Sequence, residues 1–556
     1  MYILLQKIIN LLSPLLLRYR YHNKKNPFLD FQRLMYSKEL DNKNISKEKI
    51  DNGSILIAPI RVSPLSNLFE GLMGTFLQNK GQNVKFLLCN QSLTYCENKS
   101  KYGKNVFSCA LCKKEQNRFI KVFKIDPFYV SSIISKEERK HIKRIINSRS
   151  FDQDSDFIYQ GINLKECIIS GCMRYTLTSE IKNIDKKIIR GFAYSSFVMA
   201  KASINIINKN KISHLLISHG IYSTWGSVLE VFKNKNITST VWGRGYVGNG
   251  RLFFGHNMGY HEEATIEDIS VLNNIDLSQK KKTAVLNYFF AKEKIYNNPD
   301  FINYYENLKS INFDIQGFKS KIARFKKRYG MFTNIPWDGQ VFNNTDVFPT
   351  TRFYVINTLK WFKKNPDCVL IIRAHPAEKT GSETSFAEKF KDILDEIEPV
   401  LPSNVIFLEP ENPISSYDLS KMIDCAILYG SSLALEFAVR RIPVIQTGRF
   451  NVSNKNIVFD VYSIEYFYEL LNSVKYSKLE ISDQMYSNAL KYAYYWVFLR
   501  HIIDETMALK NGYYNGFNFN NKETFMKNPT LMFIYDKMME NSKIILSDDS
   551  KISLDI

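Results

Sequence analysis

The feature that most constrains this chain is the alternation of short, β-branched apolar runs with helical patterns, densest between Asp367 and Arg449. The runs Cys368 to Ile372, Ile423 to Tyr429 and Ile442 to Ile445 are short and lack the polar alternation of a half-exposed strand. They read as buried parallel strands joined by crossover helices. Open α/β sheets bind ligands beyond the carboxyl ends of their strands. Arg373, His375, Ser431 and Ser432 therefore stand where a phosphorylated ligand would be held.

The same alternation appears earlier. Strand patterns Ser54 to Pro59 and Val84 to Leu88 flank a helical pattern from Asn67 to Gln78, and further strands are expected at His214 to Ser218 and Thr238 to Trp242. The first strand-to-helix turn reads RVSPLSN, without the glycine-rich fingerprint of dinucleotide enzymes, which argues against nicotinamide or flavin chemistry. His219 closes the strand at 214 to 218 and precedes Gly220, as His375 closes the strand at 368 to 372. Two histidines at equivalent places in two halves would face one interdomain cleft if the sheets oppose each other. His214, inside its strand, reads as structural; His256, His261, Glu262 and Glu263 offer an alternative base at a spacing that fits no metal pattern.

A chain of 556 residues is too long for one core, and two large domains are expected. The formal net charge of +20 favours partners that carry phosphates or other anions. No nucleic-acid module is present and the basic residues are dispersed, so nucleic acid is the weaker partner. Met1 to Leu17 is apolar, is interrupted by polar residues and Pro14, and is followed by Arg18, Arg20, Lys24 and Lys25. It is shorter than the ~20 residues of a spanning helix. It suits an in-plane anchor on an anionic membrane face, or a first helix packed on the protein's own core. With no cleavable signal visible, the expected place is the cytoplasm, peripheral on the inner face of the membrane.

Eight cysteines include Cys89, Cys96 and the pair Cys109-x-x-Cys112. A structural zinc ion is one reading of these four; free thiols or a redox pair are the others. The expected organisation is an N-terminal helix and linker (1–52), a first Rossmann-like domain (53–262) with a cysteine-rich insertion (89–112), and a helical connection (263–328). A second Rossmann-like domain (329–480) and a C-terminal helix crossing back with a polar tail (481–556) follow.

Arg373 can grip a phosphate through two parallel hydrogen bonds, and His375 can add a donor or protonate a leaving phosphate. Glu378 either orients them or is a solvated carboxylate. Gly430, Ser431 and Ser432 lie between a strand and a helix start, where N–H groups and hydroxyls suit a phosphate, although Ser431 also reads as a simple helix cap. Glu436, one turn on, either accepts hydrogen bonds from a sugar diol or lies on a solvated face. The D-x-D pattern at Asp152, Asp154 and Asp156 has no preceding strand and reads as a solvated loop.

The segments SHGIYSTWG, IPWDGQVF, IIRAHPAE, LPSNVIFLEPENPISSYDL and LYGSSLALEFAVRRIPVIQTG, with LLCNQSLTYCE and CALC, resemble bacterial capsule and surface-polysaccharide biosynthesis proteins. The resemblance spans roughly residues 54 to 510. It implies an α/β, GT-B-like glycosyltransferase fold, with two Rossmann-like doubly wound domains facing a cleft and helical extensions at both ends. The first domain would offer the acceptor and the base, the second the nucleotide-activated donor. The histidine-glycine and R-x-H-P elements are also similar to those of teichoic acid glycerophosphotransferases, whose two histidines are functional; the matching positions are His219, Arg373 and His375. IYSTWG after the first element departs from that pattern and favours sugar transfer.

The expected activity is therefore transfer of a sugar from a nucleotide-activated donor to a glycan or lipid-linked acceptor. His219 would be the base, and Arg373, His375, Ser431 and Ser432 would hold the donor phosphate without a catalytic metal. The alternatives are a phosphodiester transferase of envelope polymers and a non-catalytic assembly scaffold.

Overall fold

The computed structural model describes residues 26–35, 53–62, 67–97, 108–151, 155–182, 184–248, 250–291, 313–337, 342–380, 387–510 and 513–548. The apolar N-terminal segment, the linker after it, Asp152, Asp154 and much of the helical connection lie outside the described residues. The chain divides into two compact units. One comprises Met1–Thr176, Ile181–Glu263 and His501–Ile545; the other comprises Leu177–Glu180, Ala264–Arg500 and Leu546–Ile556.

The first unit is built on β1 (Ser54–Ile57), β2 (Asn83–Leu88), β3 (Pro127–Tyr129), β4 (Ile212–Ser218), β5 (Thr238–Arg244) and β6 (Arg251–His256). They lie in the order β3-β2-β1-β4-β5-β6, and Ile502–Ile503 extends the sheet beside β6. β1 to β5 pair in parallel, whereas β6 and Ile502–Ile503 are antiparallel. Every residue of β1 is buried, as the unbroken apolar run SILI requires of a strand covered on both faces. The helix Leu68–Asn79 follows β1, and the helix Lys186–Lys209, whose Asp185 accepts a hydrogen bond from Lys187 N–H, precedes β4.

The second unit holds β7 (Lys327–Phe332), β8 (Cys368–Arg373), β9 (Val405–Leu408), β10 (Cys425–Tyr429), β11 (Val444–Gly448) and β12 (Phe459–Asp460). Their order is β9-β8-β7-β10-β11-β12, and all are parallel. Both sheets thus share the 3-2-1-4-5-6 order of a doubly wound Rossmann-like domain. Tyr329, Leu370, Ile372, Ile427 and Ile445 pack into one core with Trp361, Phe362 and Phe467 from the covering helices.

Three expectations change. The pattern from Ser482 to Leu509 predicts one long aromatic helix, but the helix spans Asp483–Tyr494 and widens to a π turn over Tyr495–Leu499. It stops because Arg500 is buried and its Nε donates to Glu267 Oε1 at 2.5 Å, after which Ile502 and Ile503 pair with Leu252 and Arg251. The region from Pro127 to Ile189, read as mainly helical, contributes edge strand β3, whose three residues are too few to show a period. β6 was also absent from the sequence pattern: RLFFGH is short and follows a glycine-rich loop.

Candidate functional site

In each sheet the strand order reverses between the first and fourth strands, β1 and β4 in one unit and β7 and β10 in the other. Such switch points leave a crevice at the carboxyl ends of the strands, where ligands bind in this fold. β4 ends at Ser218, and His219 and Gly220 then turn the chain through left-handed backbone, with φ of +57° and +71°. A Cβ on Gly220 would come within 2.8 Å of Leu229 and 3.0 Å of the Gly259 backbone, so the turn demands glycine. A π turn over Tyr222–Gly226 follows and brings Trp225 beneath the histidine. Such turns often mark functional sites.

His219 is held on several sides. Its ring stacks on Trp225 at 4.9 Å and 8°, meets Tyr260 edge-on at 5.6 Å, and places Nδ1 2.5 Å from Ser218 Oγ. Burial, then His261 and the Arg61 cation, lowers its pKa to about 3, so the imidazole is neutral near pH 7. When Nδ1–H donates to Ser218 Oγ, Nε2 is the nitrogen that can take a proton; when Ser218 Oγ–H donates instead, Nε2 carries the hydrogen. The Arg61 guanidinium lies 4.0 Å over Trp225 and 3.7 Å from buried Glu97. Ser223 Oγ donates to Glu97 at 3.1 Å, and Thr224 Oγ1 donates to its other oxygen.

Glu70 also belongs to this wall. It is wholly buried beneath the end of β4, accepts from Asn67 Nδ2 at 2.5 Å, and has its pKa raised by burial to about 7. Arg61, Glu70, Glu97 and Trp225 were missed in the sequence. The available signal was a lone acid within the apolar helix LFEGLMGTFL.

In the second unit, Thr333 follows β7, and its Oγ1 accepts from the backbone N–H of His375, just past β8, at 3.0 Å. The Ala377 N–H donates to His375 Nδ1 at 3.2 Å, which fixes the neutral tautomer with hydrogen on Nε2. Burial and the neighbouring Arg373 lower the His375 pKa to about 4. Glu378 is buried rather than solvated, accepts from Phe390 N–H at 3.1 Å, and is raised by burial to about 7.

Arg373 is 1% exposed, and its guanidinium is committed to main-chain carbonyls. Nε donates to Ile414, Nη1 to Ala374 and Glu409, and Nη2 to Asn412 and, at 3.5 Å, Pro410. In this arrangement it fastens the loop from Glu409 to Ile414 instead of presenting two parallel donors to a phosphate.

Gly430, with φ of +65°, turns the chain after β10, and Asn334 Nδ2 donates to the carbonyls of Tyr429 and Gly430 at 2.6 and 3.0 Å. Ser431 Oγ accepts from Leu433 N–H at 3.3 Å, and the Ser432 side chain makes no cap. Glu436 is buried and accepts from Tyr417 Oη at 2.6 Å, so it does not lie on a solvated face. A small recess beyond β7 and β10 is lined by Thr333, Asn334, Pro336, Tyr354 and Tyr429.

The remaining candidates are accounted for within the fold. His214 Nε2 lies 2.8 Å from Thr240 Oγ1, Glu263 accepts from the His256 backbone at 2.5 Å, and His261 meets the Tyr246 hydroxyl. Cys89, Cys96, Cys109 and Cys112 all line one recess, although among the described residues no group of three or more His, Cys, Asp or Glu is arranged to hold a metal ion. Among the described residues no helix is long and apolar enough to cross a membrane.

No family model and no curated protein matches the chain. Among solved structures, the Thermosulfurimonas dismutans KpsC beta Kdo 2,4 transferase is similar at 14% identity, covering 52% of this chain and 80% of that one, with a TM-score of 0.32. The Methanocaldococcus jannaschii UDP-GlcNAc 2-epimerase, in complex with UDP-GlcNAc and UDP, is similar at 11% identity over 78% of this chain and 97% of that one, with a TM-score of 0.27. The structure of trehalose-6-phosphate from E. coli bound with UDP-2-fluoro glucose is similar at 8% identity over 79% of this chain and 95% of that one, with a TM-score of 0.30.

Proposed function

We propose that the protein is a glycosyltransferase that moves a sugar from a nucleotide-activated donor to an acceptor hydroxyl on a growing surface glycan or its lipid-linked precursor. One observation carries the reading: in each sheet a strand ends in a histidine that burial holds neutral. In the tautomer whose Nδ1–H donates to Ser218 Oγ, His219 can accept the acceptor's proton at Nε2, and His375, whose Nδ1 accepts from Ala377 N–H, can donate from Nε2–H to the phosphate oxygen of the leaving nucleotide. Ser431, Ser432 and Glu436 supply hydroxyls and a carboxylate for the donor's phosphate and sugar groups.

Arg373 enters as the residue that fastens the loop from Glu409 to Ile414, and Glu378 supports the same strand end. The surplus of positive charge, +20 over the chain, favours anionic donors and acceptors and an anionic membrane face.

A transfer assay and thermal-shift screen against UDP-, GDP-, CDP- and CMP-linked sugars, with CDP-glycerol alongside, tests the reading. At least one nucleotide sugar should stabilise the protein and support transfer. His219→Ala and His375→Ala should each lower kcat about 10²–10⁴-fold in a folded protein. Turnover of CDP-glycerol alone would replace sugar transfer with phosphodiester transfer, and absence of binding to every nucleotide would leave a scaffold.

A further inference from the structure

We propose that Arg61 and Trp225 form an oxyanion subsite beside His219, which takes the acid group, carboxylate or phosphate, of an anionic acceptor. In the transferase reading, on which this rests, His219 takes the acceptor's proton. An anion held next to it therefore belongs to the acceptor.

The chain brings Arg61 to this place by continuing past β1 between its two neighbours. Ala58 N–H donates to the Leu216 carbonyl of β4, and the Ile60 carbonyl accepts from Cys89 N–H just after β2, both at 2.9 Å. Arg61 thus stands beyond the carboxyl end of β1, at the switch point where β4 brings in His219. Its guanidinium lies 4.0 Å over the Trp225 ring, and His219 stacks on that same ring.

The donors of Arg61 are unspent. Among the described residues no acceptor takes a hydrogen bond from the guanidinium; Nε is buried without a partner, and the side chain is 18% exposed, which leaves the Nη groups open to a ligand. The nearest carboxylate, Glu97, has Oε1 3.7 Å from Nε, too far for a hydrogen bond, and its oxygens are taken by the Ser223 and Thr224 hydroxyls. Glu97 therefore orients the guanidinium without consuming its fork. Arg373 is the opposite case, with every nitrogen on a main-chain carbonyl.

The chemistry of the pair selects the ligand. The Trp225 indole N–H is a second buried donor without a partner, next to the guanidinium that covers its ring. Both groups can only donate, so the ligand must supply acceptors. A guanidinium held flat on an aromatic face matches the two oxygens of a carboxylate or phosphate, and its charge favours these over a neutral sugar hydroxyl.

The experiment titrates the full chain with glucuronate, glucose 6-phosphate and glucose at constant ionic strength, followed by tryptophan fluorescence. At least one acid should bind tenfold or more tightly than glucose, and which one does so tells a carboxylate subsite from a phosphate subsite. Arg61→Gln should erase the preference, and Arg61→Lys, which keeps the charge without the fork, should lower it several-fold. Lys140→Gln, which removes an exposed charge elsewhere on the same unit, should leave it intact. Should the Arg61 variants fail to fold, the wild-type comparison decides alone. Equal binding of acids and glucose, no binding of either acid, or a preference that survives Arg61→Gln overturns the proposal. The nucleotide-sugar screen run alongside separates the two readings. Nucleotide-sugar binding without a preference for acids removes the subsite alone, whereas a preference for acids without any nucleotide binding removes the transferase reading and leaves the anion site.

Discussion

The imidazole of His219 lies 4.9 Å from the indole of Trp225 and within 8° of parallel to it, with the Arg61 guanidinium also over that indole at 4.0 Å. The stack shields the imidazole from water, and Arg61 adds a like charge; both disfavour the imidazolium. Trp225→Ala should therefore let the His219 pKa climb from about 3 toward the ordinary 6.5, while Trp225→Phe should hold it low. In a pH profile of kcat/KM for the proposed transfer, the wild-type protein should show no acid limb from His219 above pH 5, and the alanine variant should acquire one. An unchanged profile would mean that the stack does not set the protonation of His219.

Arg373 offers a sharp division between positioning and binding. Arg373→Lys cannot reproduce a fork of donors to the carbonyls of Ala374, Glu409, Asn412 and Ile414, and should cost about 2–4 kcal/mol. Denaturant melts should show the loss with or without nucleotide. If stability is unchanged while the KM for donor rises tenfold, the guanidinium contacts the ligand after all.

Glu70 should make stability depend on pH in an unusual direction. Its folded pKa of about 7 lies above the unfolded value of 4.5, so between these the native state binds more protons than the unfolded chain, and its contribution falls as pH rises. The loss is complete above pH 7 and amounts to about 3 kcal/mol. Glu70→Gln should remove this dependence and gain on wild type at pH 8 relative to pH 5. Urea melts at the two pH values measure it, and equal differences at both would contradict a buried neutral acid.

Gly220→Ala combines a φ of +71° with contacts of 2.8 Å to Leu229 and 3.0 Å to the Gly259 backbone. A cost of about 3 kcal/mol is expected from backbone strain and overpacking together. Because the turn also sets the neighbouring His219, transfer should fall more than stability alone explains, at a temperature where the variant remains folded.

How much was legible in the sequence follows from how local each signal is. The strands at 54–57, 368–373 and 425–429 were visible because a strand buried on both faces reads as a short apolar run, and 83–88 was visible through its apolar end, Phe86 to Leu88. The edge strands at 127–129 and 502–503 were not, because pairing with β2 and β6 formed them rather than any pattern of their own. The predicted helix from Ser482 to Leu509 failed for the same reason: its aromatic period was genuine, but Arg500 and its partner Glu267, more than two hundred residues away, ended it.

The sequence by itself determined that this protein has two α/β halves, with histidines closing one buried strand in each. Those features are written in local periodicity and in the residues that end strands. Only the tertiary structure decided what each side chain does, because role depends on partners distant in the chain. Arg373 spends its donors on a loop about forty residues on, Glu378 and Glu436 are buried, and four scattered cysteines meet around one recess beside the wall that carries His219.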